Sequence, residues 1–137
     1  MRVDWISVAL ITLGWLVVHF FSRQRDLKKD ARSFALQTAN HVTKIEEKAI
    51  AYHVAQNRSE PAEKELILLI NDLDTRIMIL KKKLKIKNDI SFFRAAITLD
   101  NFNTHEFKPQ SYSSQIVNDI SYHATQLRDA LYRASLG

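Results

Sequence analysis

Read from its N-terminus, the chain opens on an apolar run and then settles into a repeating pattern. Trp5 to Phe21 reads WISVALITLGWLVVHFF, 17 residues without a formal charge. Beyond it, apolar positions recur at Leu27, Ala31, Phe34, Thr38, Val42, Ile45, Ala49 and Tyr52. Steps of three and four keep these positions on one side of a helix, close to heptad spacing. With Ala35 in place of Phe34 the alternation is unbroken from that point on. No Gly or Pro lies between Trp15 and Pro61, so one helix is expected to continue out of the apolar run. Its stretch from Arg23 to Asn57 would extend ~50 Å. The sequence QNRSEPAEKE then breaks it. Ser59 can cap a new helix, Pro61 fits a first turn, and Glu60, Glu63 and Glu65 complement the positive helix end. A second stripe, Leu66, Ile70, Leu73, Ile77, Leu80 and Leu84, predicts a helix from Pro61 to about Lys87, ~40 Å long. Two matched stripes and a short connection predict an antiparallel hairpin.

After Asn88 and Asp89 comes ISFFRAAITL, an apolar segment whose Ile, Phe and Thr favour a strand and whose Ala95 and Ala96 favour a helix. A short helix capped by Asp89 is the expectation. DNFNTHEFKPQSYSS reads as an ordered loop. The last helix is expected from Ser113 or Ser114 to Leu136, with Ile116, Ile120, His123, Leu127, Ala130 and Ala134 on one face. Only two glycines and two prolines occur, too few for the tight turns of a sheet protein. The expected fold is therefore all-α: one N-terminal transmembrane helix continuing into a cytosolic helical hairpin plus a C-terminal helix. Residues 1–22 form the anchor and 23–137 the cytosolic helical domain. The stripes exceed what one hairpin can bury, which predicts a homo-oligomer.

The apolar run has the length of a short membrane crossing. A secretory signal peptide would need its basic residues in front and a small-residue cleavage site behind. Here RQRDLKK follows the run and no such site appears. Trp5 suits the outer interface. Arg2 and Asp4 cancel on one side, whereas Arg23, Arg25, Lys28, Lys29 and Arg32 crowd the other, which predicts a cytoplasmic body. The absence of cysteine is compatible with a reducing compartment. A formal net charge of +5 favours anionic partners: lipid headgroups, nucleic acid or a nucleotide. A returning second helix would also bring Lys81, Lys82, Lys83, Lys85 and Lys87 near Arg23 to Arg32, so that both basic clusters face the inner leaflet. The alternative is that these lysines only complement a helix C-terminus.

Catalytic patterns are missing. There is no cysteine nucleophile, and Gly14 and Gly137 cannot build a phosphate loop. His19, His41, His53, His105 and His123 have no metal-ligand spacing. An arginine–histidine pair of the kind used by helical ribonucleases fails at each arginine tested: Leu99 lies five residues after Arg94, Arg133 after Arg128 and Gln37 after Arg32. No enzymatic activity, cofactor or metal is expected. The richest stretch is RAAITLDNFNTHEFKPQ, where Arg94, Asn101, Asn103, His105 and Lys108, with Asp100 and Thr104, alternate with Phe102 and Phe107. Cations for phosphates, amides for base edges and rings for stacking make a nucleotide-site pattern. The competing reading is a structured loop whose phenylalanines plug the core. Within the anchor, Ser7, Ala9 and Gly14 could line a close helix contact. Thr12 and His19 could face a pore or a partner, or could bond their own backbone or snorkel to the interface.

WISVALITLGWLVVHFF, a basic stretch, and then RAAITLDNFNTHEFKPQ together resemble a group of short single-pass bacterial inner-membrane proteins of unassigned role. The plan of anchor plus small basic body is also similar to small antiviral membrane effectors, among them those of type III CRISPR systems. That likeness implies activation by cyclic tetraadenylate, a nucleotide second messenger, followed by perturbation of the inner membrane. Two functions follow as expectations. The first is a membrane-anchored, oligomeric sensor and effector that binds an anionic ligand through Arg94, Asn101, Asn103, His105 and Lys108 and acts on the membrane. Its membrane-surface residues are Arg23, Arg25, Lys28, Lys29, Lys81, Lys82 and Lys83. The second is a helical scaffold that tethers a partner protein to the inner membrane, without ligand or pore.

Overall fold

The first helix begins where an aspartate can satisfy its free N–H groups. In the computed structural model, which describes residues 4–137, Asp4 accepts from the Ile6 amide at 3.1 Å and from Ser7 Oγ at 2.9 Å. Arg2, half of the charge balance ahead of the apolar run, lies outside the described residues. From Asp4 the helix α1 runs unbroken over Trp5–Val54, 50 residues, a length of ~75 Å. Its apolar N-terminal stretch is long and apolar enough to cross a membrane, and no part of it is buried by the rest of the chain. Every residue from Asp4 to Asp30 is exposed, and burial begins at Ala31.

Three further helices complete the body: α2 (Glu60–Leu84), α3 (Ser91–Thr98) and α4 (Gln115–Leu136). The described residues are 78% helix and include no strand, as the pattern predicts. Ser59 caps α2 by accepting from the Ala62 amide at 3.2 Å, and Pro61 lies in the first turn. Ser114 caps α4 by accepting from the Val117 amide at 3.3 Å. Asp89 accepts from the Ser91 amide at 3.1 Å but does not occupy the cap position of α3, which is Ile90.

α2 lies antiparallel to α1, and four contacts fix the register. Tyr52 Oη donates to Glu63 at 2.9 Å, Lys48 pairs with Glu65 at 2.8 Å, His41 approaches Asp72 at 3.3 Å, and the Arg76 guanidinium lies 5.2 Å from the Phe34 ring centre. Successive partners run down α1 as they run up the numbering of α2, which sets the two helices antiparallel. α4 also packs along α1, with Arg128 bonded to Thr43 at 3.1 Å and Glu46 at 3.4 Å. α3 packs against α4.

Covering α1 from two sides changes which residues are buried. Its core face is Ala31, Ala35, Thr38, Ala39, Val42, Ile45, Ala49, Tyr52 and His53, broader than a heptad seam. The alanines lie where a second helix must approach closely. Leu27, the first member of the expected stripe, is exposed, and Phe34 lies at the edge. The buried face of α4 is rotated from the expected one: Val117, Ile120, Ala124, Leu127 and Leu131 are buried, while Ile116, His123, Ala130 and Ala134 flank them. α2 stops at Leu84 rather than Lys87, because Lys85 adopts a left-handed conformation with φ 55°. α4 and α3 bury much of the stripe surface within one chain, while Leu36, Leu68 and Met78 stay exposed on the hairpin.

Candidate functional site

The two ends of the bundle carry different chemistry. At the end far from the apolar segment, Glu63 is buried and its carboxylate is fully occupied. It accepts from Tyr52 Oη at 2.9 Å, from Arg58 Nε and Nη2 at 2.9 to 3.0 Å, and from the Asn103 amide at 3.1 Å. The fork of Arg58 is suited to this two-pronged contact. Its hydrogen bonds hold the Glu63 carboxyl below its ordinary range, against the opposing effect of burial. Burial and the bond to Glu63 push the Tyr52 phenol up to about 12. Arg58 Nη2 also donates to Asn103 Oδ1 at 2.9 Å, so one cluster joins the end of α1, the start of α2 and the long loop.

His53 forms the second half of this clasp and is wholly buried. Its Nε2 lies 2.9 Å from the Ile97 carbonyl, which can only accept, so Nε2 carries the proton. Nδ1 is then an acceptor for Asn101 Nδ2, at 3.3 Å. Asn101 also bridges the Lys108 backbone, accepting from its N–H at 2.7 Å and donating to its carbonyl at 2.9 Å. Burial lowers the His53 pKa below its ordinary value, outweighing the bond to Ile97. The rings of Phe102 and Phe107 lie 5.2 and 5.4 Å from that of Tyr52. Asn101 and Asn103 take positive φ values of 59° and 51°, a conformation asparagine tolerates and the loop needs to make these turns.

The five expected ligand residues therefore do not converge on one open site. Asn101 and Asn103 are bonded within the clasp, and Lys108 contributes its backbone. Both phenylalanines turn inward to Tyr52 rather than offering a stacking face. Arg94 stands apart on α3, its Nη2 3.4 Å from Asn71 Oδ1. Two clefts adjoin at Ile67: one of about 330 Å³ lined by Arg58, Glu60, Glu63, Lys64 and Asn103, the other of about 250 Å³ lined by Ile70, Asn71, Arg94 and Thr98. His105 is exposed on the loop. Tyr52, His53, Arg58 and Glu63 were not singled out as a cluster by the sequence pattern. One signal for it exists, since a tyrosine on a buried stripe needs a partner for its hydroxyl.

At the other end, Lys82, Lys83, Lys85 and Lys87 are exposed, with Lys81 half-buried. Within the apolar segment, Thr12 Oγ1 donates to its own helix at Val8 O, 2.9 Å, and His19 stacks on Trp15 with ring centres 5.2 Å apart. Ser7 is occupied in capping Asp4. A third surface lies between α3 and α4. Phe92 and Leu99 are about three-quarters exposed. They border a shallow groove of about 190 Å³ that also includes Ala95, Ala96, Ile116 and His123, with Asp100 and Asp119 at its rim. Among the described residues no group of acidic or histidine side chains could hold a metal ion. No protein-family model matches the chain, and no curated protein or solved structure is similar to it.

Proposed function

We propose that this protein is a membrane-anchored helical scaffold, with its body on the cytoplasmic side of a bacterial inner membrane, that holds a partner protein at the bilayer. The observation that carries this reading is the continuity of α1. The same 50-residue helix is exposed and apolar at its start and forms the core of the bundle at its end. A signal peptide cut from such a helix would leave a frayed end, whereas an anchor transmits its position directly to the body. Orientation follows from the basic residues after the apolar run. The partner surface in this reading is the groove between α3 and α4, where Phe92 and Leu99 supply apolar anchors. Asp100 and Asp119 set its sign on an otherwise basic chain. The occupant is an amphipathic partner helix bearing a basic residue beside its apolar face.

The test is made in cells with the full chain. A photo-reactive residue in place of Phe92 should give one discrete protein adduct at the membrane. Asp100→Lys with Asp119→Lys should abolish that adduct without releasing the chain from the membrane fraction. Membrane potential should stay unchanged. No adduct, or depolarisation on expression, would overturn the scaffold reading.

A second reading is favoured by the adjoining clefts at Ile67, which place Lys64 and Arg94 on neighbouring rims. In it the chain is an oligomeric sensor of an anionic ligand, a cyclic oligonucleotide in antiviral defence by the resemblance above, and it acts on the membrane. Titrating the full chain in detergent with linear and cyclic oligonucleotides tests it. Binding that survives Arg94→Ala and Lys108→Ala unchanged would remove the expected site.

A further inference from the structure

The membrane-proximal end of the bundle carries the lysines expected at the membrane surface, and the scaffold reading does not use them. The register set by Tyr52–Glu63, His41–Asp72 and Phe34–Arg76 continues downward. Continued beyond Arg76, this pairing sets Lys82 and Lys83 level with residues 27–31 of α1. Lys28 is seven residues past Phe21, or ~10 Å along the axis. The polar headgroup layer itself extends roughly 5–7 Å beyond the hydrocarbon. The apolar run is short for a bilayer, a mismatch met by local thinning of the bilayer or by snorkelling of the flanking basic residues. The end of α2 therefore stands within roughly a Debye length of the headgroup layer.

We infer that this end is a lipid-binding foot, in which the lysine-rich terminus of α2 and the basic stretch of α1 together seat the bundle on anionic headgroups. Between residues 23 and 32, α1 carries five basic side chains against Asp26 and Asp30. α2 and its exit add Lys81, Lys82, Lys83, Lys85 and Lys87 against Asp89. Among the described residues none of Lys82, Lys83, Lys85 and Lys87 makes an ion pair with a carboxylate. The contrast with Lys48, paired to Glu65 at 2.8 Å, is local evidence that charge here is left open. Lys85 also occupies the left-handed position after α2, where glycine is the favoured residue, and its charge is kept at the foot. Polybasic segments beside a membrane helix are attracted to anionic lipid, and the attraction decays within about a Debye length, ~10 Å at ~0.1 M salt. The lysines stand within that distance. A helix C-terminus that needed only dipole compensation would be served by its last turn, and would not require Lys85 and Lys87 beyond it.

This inference rests on α1 crossing the bilayer and not on the scaffold or the sensor reading. Its test uses the full chain in nanodiscs of a zwitterionic lipid alone or mixed with an anionic lipid. Amine acylation, read by mass spectrometry at each lysine, reports contact. Reactivity of Lys82, Lys83, Lys85 and Lys87 should fall several-fold in anionic discs and recover at high salt, while Lys64 and Lys108 stay constant. Lys82→Glu with Lys83→Glu, both exposed, should restore reactivity at Lys85 and Lys87. Equal reactivity in the two lipids, or an equal fall at Lys64 and Lys108, would overturn the foot. Loss of the partner adduct at Phe92 with the footprint intact would count against the scaffold alone.

Discussion

The two ends of this bundle use charge in opposite ways. At the far end Glu63, Arg58, Tyr52 and Asn103 satisfy one another, and His53 and Asn101 complete the arrangement. At the near end a run of lysines lies exposed without carboxylate partners among the described residues. A saturated polar cluster in a partly dry setting holds elements together, because removing one member strands the others. Unpaired surface charges contribute little to stability and leave their field available to a partner. Stability and recognition are thus expected to separate by position along α1.

The largest effect that would break this contrast is Glu63→Ala. It leaves Arg58 and the Tyr52 hydroxyl without their partner, and a loss of about 3 kcal/mol is expected. Urea unfolding of the full chain in detergent measures it, and a loss comparable to a surface substitution would refute the clasp. Acidification comes next. His53 has a lowered pKa in the folded chain, against an ordinary value of 6.5. The unfolded chain therefore binds the extra proton more readily, and stability present above pH 6.5 should be lost as pH falls below it. Glu63, lowered from 4.5, adds a second loss as pH falls through that value. Tyr52 acts at the other extreme: its contribution is intact below pH 10 and is lost as pH rises towards 12. Midpoints of thermal unfolding followed against pH should show the acid-side decline, and His53→Gln should flatten its upper part.

Tyr52→Phe should cost about 1 kcal/mol, the worth of one hydrogen bond with the ring packing on Phe102 and Phe107 kept. The smallest change in stability is expected at the foot. Lys82→Glu with Lys83→Glu should move the unfolding free energy by no more than about 0.5 kcal/mol. A larger loss in detergent, where no anionic leaflet is present, would show that these lysines hold the bundle together and would blur the distinction between its ends.

The helices were legible in the sequence because the apolar steps, Ser59, Pro61 and Ser114 act over a few residues and need no distant partner. The absence of glycine and proline between Trp15 and Pro61 likewise determined that the apolar run and the bundle share one helix. The candidate site was less legible. Arg94, Asn101, Asn103, His105 and Lys108 are neighbours in sequence, and their mixture with phenylalanine suggested a shared pocket. Only the folded chain decided that Asn101 turns to His53 and Asn103 to Arg58 and Glu63, residues some 40 to 48 positions away. It also decided that α4 covers the second side of α1, which adds Ala39 and His53 to the buried face beside the stripe. Local backbone energetics set where helices begin and end. Partners for buried polar groups, and the face each helix hides, depend on contacts that exist only once distant segments have met.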